Sequence, residues 1–242
     1  MKTLVPFLFA LAFTSTASAN EPAHEPASKN ALSTYVLDSM RAWNKGPMAG
    51  SATHLEDIAS DITVVAEREP RIWKDSDGSR EAILLARVAW FETRFRDYVD
   101  SGDCNRWASD AYLKTGTLNF RSLPEEARRN MRLGTCDGGQ AASIWQVHFG
   151  EGIFVHDKPD SSNRWWHMGL TGDAGAVPVT RDIAIRDRQQ AARVALAMMR
   201  QSIQSGSGLM GYVGGSGPSR VAKARERLDS AVTWSAKHPF TP

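Results

Sequence analysis

The sequence predicts a mainly α-helical fold, and two observations carry this prediction. Apolar residues recur at helical spacing in several long segments, the clearest being residues 83–95, 182–204 and 219–234. Breaks rich in glycine or proline separate such segments, as at residues 46–50 and 208–217. With 242 residues, of which 42% are hydrophobic, the chain can bury a substantial core.

The first residues have the pattern of a secretory signal peptide. Lys2 precedes an apolar run over residues 4–13, and the small residues before position 20 are typical of a cleavage site. Residues 1–19 are therefore predicted to be a signal peptide cleaved after Ala19, so that the protein is exported to the periplasm or secreted. A short buried helix is the alternative. The run is shorter than the about 20 residues that cross a membrane, and we expect no membrane anchor.

Residues 20–30 are predicted to be a disordered leader, and residues 31–74 an N-terminal helical segment. Its first helix is expected over residues 31–43. Its second is marked by the capping-box pair Thr53 and Glu56. The net charge of +2 and the absence of a basic tract argue against nucleic acid as a partner, and we expect a monomer.

The two cysteines of the chain, Cys104 and Cys136, are expected to form one disulfide, because paired cysteines in an exported chain usually do so. The bridge would close an insertion over residues 105–135 and stabilise the fold by roughly 3 to 4 kcal/mol. Two free thiols, or one metal ligand each, are the alternatives. Neither cysteine has a nearby Cys or His partner in the sequence.

Glu92 is the candidate catalytic residue. It lies on or beside the apolar face of the helix predicted over residues 83–95, and an acid in apolar surroundings tends to keep its proton. Such a group is suited to general acid catalysis. The alternative is a glutamate at the edge of the face that reaches solvent or pairs with Arg87 or Arg96.

Residues 150–180 contain many glycines and prolines and are predicted to be irregular. The Trp165–Trp166 pair could stack on sugar rings or pin this loop to the body of the protein. The histidines of the region match no helical metal-binding spacing, so we expect no metal site among His148, His156 and His167.

Three segments, in this order, resemble the lysozyme-like superfamily, and within it the soluble lytic transglycosylases and goose-type lysozymes. Glu92-Thr93 is similar to the family's Glu-Ser at a helix end, residues 143–147 (SIWQV) to Gly-Leu-Met-Gln, and residues 210–215 (MGYVGG) to Ala-Ala-Tyr-Asn-Ala-Gly. The 54 positions from Glu92 to Gln146 exceed the family's interval, and the 32 positions from one cysteine to the other account for the excess.

The departures from the family pattern mark a divergent member. Thr93 keeps the hydroxyl of serine, and Ser143 keeps a small side chain in place of glycine. Val213, in contrast, replaces an asparagine and removes a polar group beside Tyr212.

The resemblance implies that residues 75–242 form a lysozyme-like helical domain with a substrate groove. Glu92 would be catalytic, and the expected substrate-binding residues are Thr93, Trp145, Gln146 and Tyr212, with the Tyr212 hydroxyl orienting the Glu92 carboxyl. The implied reaction cleaves peptidoglycan between N-acetylmuramic acid and N-acetylglucosamine, with no cofactor and no metal.

Other functions stay open at this point. A hydrolytic lysozyme would need a second carboxylate, for which the sequence offers Asp97, Asp100, Asp103 and Asp137 without a diagnostic position. A chitosanase-like or chitinase-like glycosidase would act on a related amino-sugar polymer. A non-catalytic protein that binds cell-wall glycan would also fit the altered motifs.

Overall fold

The computed structural model describes residues 30–45, 51–100, 141–169, 172, 176–213 and 217–242, without the side chains of residues 97 and 98. The prediction of a mainly α fold is confirmed for these residues. The expected signal peptide, nearly all of the expected leader, both cysteines and the predicted insertion lie outside the described residues.

The helices, in chain order, are α1 Ala31–Trp43, α2 Ala52–Arg68, α3 Ser79–Thr93, α4 Asp97–Asp100, α5 Arg181–Arg186, α6 Arg188–Gln204, α7 Met210–Val213 and α8 Pro218–Lys237. None of the helices in the described ranges combines the length and the apolarity that a membrane span requires.

Two small antiparallel sheets accompany the helices. Strand β1 (Ala141–Ala142) pairs with β2 (Val147–His148). Strand β3 (Ile153–Val155) lies between β4 (Trp166–Met168) and β5 (Pro178–Val179). Part of the segment predicted to be irregular, residues 150–180, therefore forms the three short strands of a sheet. Strands of two or three residues are too short for an alternating hydrophobic pattern to reveal them.

Helix α3 is the centre of the hydrophobic core. It packs against α1, α2, α6 and α8, and its residues 82–86 are fully buried. Apolar side chains of α1 and α2 belong to the same buried cluster as those of α3, α6 and α8. The N-terminal helices therefore share one core with the helices that carry the sequence motifs.

Local polar groups set helix ends that periodicity placed elsewhere. The helix predicted over residues 182–204 is divided at Asp187, because its carboxylate accepts a hydrogen bond from the backbone N–H of Gln190 (3.1 Å) and its backbone is extended. Helix α2 is capped by Ser51 and not by the predicted Thr53. Helix α3 ends at Thr93, because the next two residues have φ values of 58° and 56°.

Glu81, in the first turn of α3, is a fully buried acid. Its Oε1 accepts hydrogen bonds from the backbone N–H groups of Ile72 (2.8 Å) and Trp73 (3.2 Å). Its Oε2 accepts a hydrogen bond from the hydroxyl of Ser76. The carboxylate thereby holds the connection between α2 and α3 against the start of α3.

Replacing Glu81 with leucine is expected to lower the free energy of unfolding by about 3 kcal/mol, because two N–H groups lose their acceptor in a buried place. Urea unfolding measures the loss. The matched control is Glu56→Leu, which removes an exposed glutamate paired with Arg41 and is expected to cost at most about 1 kcal/mol. Equal losses in the two variants would contradict the role given to Glu81.

Candidate active site

Glu92 lies in the last turn of α3, and its side chain is 20% exposed. Its Oε1 is 2.8 Å from Nη2 of Arg227, a largely buried residue of α8. This partner is neither of the two nearby arginines considered from the sequence. An opposite charge at this distance favours the carboxylate form, so Glu92 is not simply the apolar-shielded, protonated acid that the sequence led us to expect.

Arg227 reaches Glu92 because α8 packs along α3. The buried face of α8 carries Arg227 together with the small residues Ala224 and Ala231. A second polar contact joins the same two helices, since Nε of Arg87 donates to Oγ of Ser230 at 2.6 Å.

Thr93 connects the end of α3 to the turn between β1 and β2. Its buried hydroxyl lies 3.1 Å from the carbonyl oxygen of Ala89, in its own helix, and 3.1 Å from that of Ile144. The turn is therefore held directly beside the residue that follows Glu92.

Two residues with positive φ, Ser143 (67°) and Gln146 (51°), begin and end this turn. Both the backbone N–H and the side-chain amide of Gln146 donate to the carbonyl oxygen of Ser143 at 3.0 Å. The half-buried amide of Gln146 thus closes the turn, and contact between Gln146 and a glycan stays a prediction.

Trp145 contributes to the site through its backbone. The indole ring is fully buried, and its N–H donates to the carbonyl oxygen of Leu85 at 3.0 Å. A ring enclosed in the core cannot stack on a bound sugar, so the expected substrate contact of this side chain is corrected to a core position.

Tyr212, in α7, contacts the same turn from a segment that lies later in the sequence. Its hydroxyl donates to the carbonyl oxygen of Trp145 at 2.5 Å. Gly211 permits this placement, because its N–H donates to Oγ of Ser202 at 2.8 Å and an added Cβ would lie 2.9 Å from that oxygen.

The electrostatic surroundings of Tyr212 include Glu92 and Arg227. Burial raises the pKa of the Tyr212 hydroxyl well above 10, the negative charge of Glu92 raises it further, and Arg227 acts in the opposite direction. Tyr212 is therefore a neutral hydrogen-bond donor at any ordinary pH. The Tyr212 hydroxyl donates its proton to the carbonyl oxygen of Trp145, whereas the sequence predicts that this hydroxyl orients the carboxyl of Glu92.

Of the four aspartates considered as a second catalytic acid, Asp100 is the one whose side chain the structure describes. Its Oδ2 is 2.5 Å from Nε of Arg188, whose Nη1 is 2.7 Å from Oδ2 of Asp61. These ion pairs join α4, α6 and α2, which indicates a structural role. Asp103, Asp137 and the side chain of Asp97 lie outside the described residues.

The loop aromatic pair and the histidines have contacts that sequence spacing did not reveal. Trp165 is fixed to α6, since its indole N–H donates to Oε1 of Gln204 (3.1 Å) and Arg200 lies over its ring. His156 and His167 come together with Asp160 as a group that could hold a metal ion. The antiparallel pairing of β3 with β4, which was not recognised from the sequence, would have predicted that these residues lie close together.

Comparisons with models of known protein families, with curated proteins and with solved structures found no match to this chain.

Replacing Tyr212 with phenylalanine is expected to lower the free energy of unfolding by about 1 to 2 kcal/mol at pH 7, because the Trp145 carbonyl loses its donor. The raised pKa adds a pH dependence. Above about pH 10 an unfolded tyrosine loses its proton while the folded Tyr212 keeps it, so the wild-type protein loses stability between that pH and the folded pKa. The difference in free energy of unfolding between the wild type and Tyr212→Phe should therefore be smaller at pH 11 than at pH 7, as urea unfolding can measure. A larger difference at pH 11 would contradict the raised pKa of Tyr212.

Proposed function

We propose that this protein cleaves the glycan strands of peptidoglycan between N-acetylmuramic acid and N-acetylglucosamine, as a lytic transglycosylase with Glu92 as its single catalytic acid and base. One observation carries the proposal. Three segments far apart in the sequence meet at one place, namely the end of α3 with Glu92, the turn held by Thr93, and Tyr212 on the carbonyl of Trp145.

A lysozyme-like arrangement of the helical domain, with a disulfide between Cys104 and Cys136 closing an insertion, is part of this proposal. The mainly helical fold and the central position of α3 agree with it. Export through the predicted signal peptide would bring the protein to its substrate, since peptidoglycan lies outside the cytoplasm.

In the first step, the protonated carboxyl of Glu92 gives its proton to the oxygen that links C1 of the muramyl residue to the next sugar. The bond between C1 and this oxygen breaks, and an oxocarbenium-like centre forms at C1. In the second step the 6-hydroxyl of the same muramyl residue attacks C1 and passes its proton to the Glu92 carboxylate. The product has a 1,6-anhydro end, and no water is consumed.

The positive charge of Arg227 favours the second step and disfavours the first. Its charge favours the Glu92 carboxylate, which is the form needed in the second step, and disfavours the protonated form needed in the first. Proton donation therefore requires that the ion pair loosen when a glycan enters.

The transglycosylase chemistry is proposed in preference to hydrolysis because it needs only one carboxylate. A hydrolase needs a second acid to activate water. Asp100, whose side chain is the one described among the four candidate aspartates, is engaged by Arg188. An intramolecular hydroxyl needs no such partner, since Glu92 itself accepts its proton.

The ion pair also favours a second candidate function. A protein whose glutamate is permanently held as a carboxylate by Arg227 would bind cell-wall glycan without cutting it. Binding of peptidoglycan by the wild-type protein without release of soluble fragments would establish this function in place of the first.

Replacing Glu92 with glutamine is expected to reduce fragment release from purified peptidoglycan at least about 100-fold, because the proton donor is lost. Glutamine keeps an acceptor for Arg227, so the fold should be retained, as circular dichroism and thermal unfolding can check. Mass spectrometry of the wild-type products should show 1,6-anhydro ends.

The matched control is Glu56→Gln, an exposed glutamate that also pairs with an arginine. This variant should release fragments as the wild type does. Undiminished activity of Glu92→Gln would remove Glu92 from the chemistry, and reducing ends in the wild-type products would establish a hydrolase.

Replacing Arg227 with methionine is expected to extend fragment release to higher pH, because the charge that favours the Glu92 carboxylate is removed. Arg227→Lys keeps the charge and should keep the wild-type pH profile. The measurement is the rate of fragment release from pH 4 to 9, normalised to the maximum of each variant. A profile that is the same in the wild type and both variants would show that Arg227 does not control the protonation of Glu92.

A further inference from the structure

The hairpin formed by β3 and β4 brings together two histidines and an aspartate that the proposed glycosidase chemistry does not use. His167 lies opposite Phe154 in the strand pair. His156 is two residues beyond Phe154, and its backbone N–H donates to the carbonyl oxygen of Trp165 at 3.1 Å, so the pairing continues past the strand. Since alternate residues share a face, both imidazoles lie on the same side of the hairpin.

The distances between the donor atoms are short. Nε2 of His156 is 3.1 Å from Nδ1 of His167, and Oδ2 of Asp160 is 3.4 Å from the same Nδ1. One ligand atom from each of the three side chains lies within 4.8 Å of the other two. The side chains are also sheltered, with 13% of His167 and 9% of Asp160 exposed.

These distances match the edges of a metal coordination sphere. Metal–ligand bonds of about 2.0 to 2.1 Å place neighbouring ligand atoms about 2.9 Å apart at right angles and about 3.4 Å apart in a tetrahedron. The 3.1 Å and 3.4 Å separations lie in this interval. The third separation, between His156 and Asp160, is within 4.8 Å, so the three atoms share one ion once these two side chains draw close enough to meet it.

The loop between the strands presents one oxygen of Asp160 to the histidines. Its Oδ1 accepts hydrogen bonds from the backbone N–H groups of Ser162 and Arg164, each at 2.9 Å, and from the Ser162 hydroxyl at 2.6 Å. Its Oδ2 is the oxygen that faces His167. The hydrogen bond from the Ser162 side chain is the main cause that lowers the pKa of Asp160 to about 2.

Without a metal, the histidine pair can share a single proton in a hydrogen bond between the two rings. That state keeps the donor atoms at nearly the spacing that the ion requires. An ion bound at Nε2 of His156 would leave the proton of that neutral ring on its Nδ1, because an imidazole coordinates through one nitrogen and keeps its proton on the other.

The donor set selects the kind of ion. Two imidazole nitrogens with one carboxylate oxygen suit Zn²⁺ and related transition-metal dications, whereas Mg²⁺ and Ca²⁺ prefer sites made of oxygen atoms. Three protein ligands leave at least one coordination position for water.

We propose that His156, Asp160 and His167 form a binding site for a transition-metal dication of the Zn²⁺ class, which ties the two sides of the β3–β4 hairpin to its loop. The site is independent of the proposed glycan chemistry, because none of its residues contributes to the contacts around Glu92.

The test is isothermal titration calorimetry, in which ZnCl₂ is added to the chelator-treated protein. We expect one Zn²⁺ bound per chain, with no comparable binding of Mg²⁺ or Ca²⁺. His156→Gln, His167→Gln and Asp160→Asn should each raise the Kd for Zn²⁺ at least tenfold. Asparagine keeps the acceptor that the loop uses as Oδ1, so Asp160→Asn changes the ligand while the loop hydrogen bonds are retained.

The matched control is His148→Gln, which changes an exposed histidine of β2 that lies outside the group. It should bind Zn²⁺ as tightly as the wild type. A wild-type protein that does not bind Zn²⁺, or binding that the His156 and His167 variants leave unchanged, would overturn the proposal.

A measurement on the wild type alone covers the case in which a variant fails to fold. In NMR spectra of the histidine rings, one equivalent of Zn²⁺ should shift the resonances of His156 and His167 and leave those of His148 and His238 in place. Shifts confined to other histidines would also overturn the proposal.

Discussion

The structure depends on a constraint at the two ends of α3, where polar groups are buried and must find partners. At the start of the helix, Glu81 accepts hydrogen bonds from the preceding loop. At its end, the hydroxyl of Thr93 meets the carbonyl oxygen of Ile144. An unsatisfied buried group would cost about 1 to 3 kcal/mol, so each end fixes a separate loop against the core. The candidate site follows from this constraint, because Glu92 is the neighbour of the residue that holds the turn.

The ion pair between Glu92 and Arg227 gives the site its chemical character. Both side chains are largely buried. Burial strengthens the attraction between the two charges and also costs each charge part of its hydration. A ligand that alters the contact between the two groups would therefore alter the balance between the two protonation states of Glu92. The neutral hydroxyl of Tyr212, fixed on Trp145, contributes no competing charge.

Local information in the sequence predicted much of the fold and part of the site. Apolar periodicity located α1, α2, α3, α6 and α8, because a helix several turns long repeats its pattern several times. The resemblance singled out Glu92, Thr93 and Tyr212, which do lie at one place. It could not identify the buried position of Trp145, because an aromatic residue in a short apolar run fits a groove and a core equally well.

Features that depend on long-range packing were beyond the sequence. Arg227 is one of many arginines, and only the packing of α8 on α3 distinguishes it. The proximity of His156 and His167 depends on pairing between strands of three residues, whose pattern is too brief to read. The division at Asp187 reflects a competition between helix propagation and a side-chain cap, in which the cap prevails.

A crystal structure of Glu92→Gln with a bound oligomer of alternating N-acetylmuramic acid and N-acetylglucosamine would test the central claim most directly. We predict that the side chain at position 92 lies about 3 Å from a glycosidic oxygen, the distance that proton transfer requires, with the 143–146 turn and α7 beside the sugar. An oligomer bound elsewhere on the protein, with residue 92 away from every glycosidic oxygen, would contradict it.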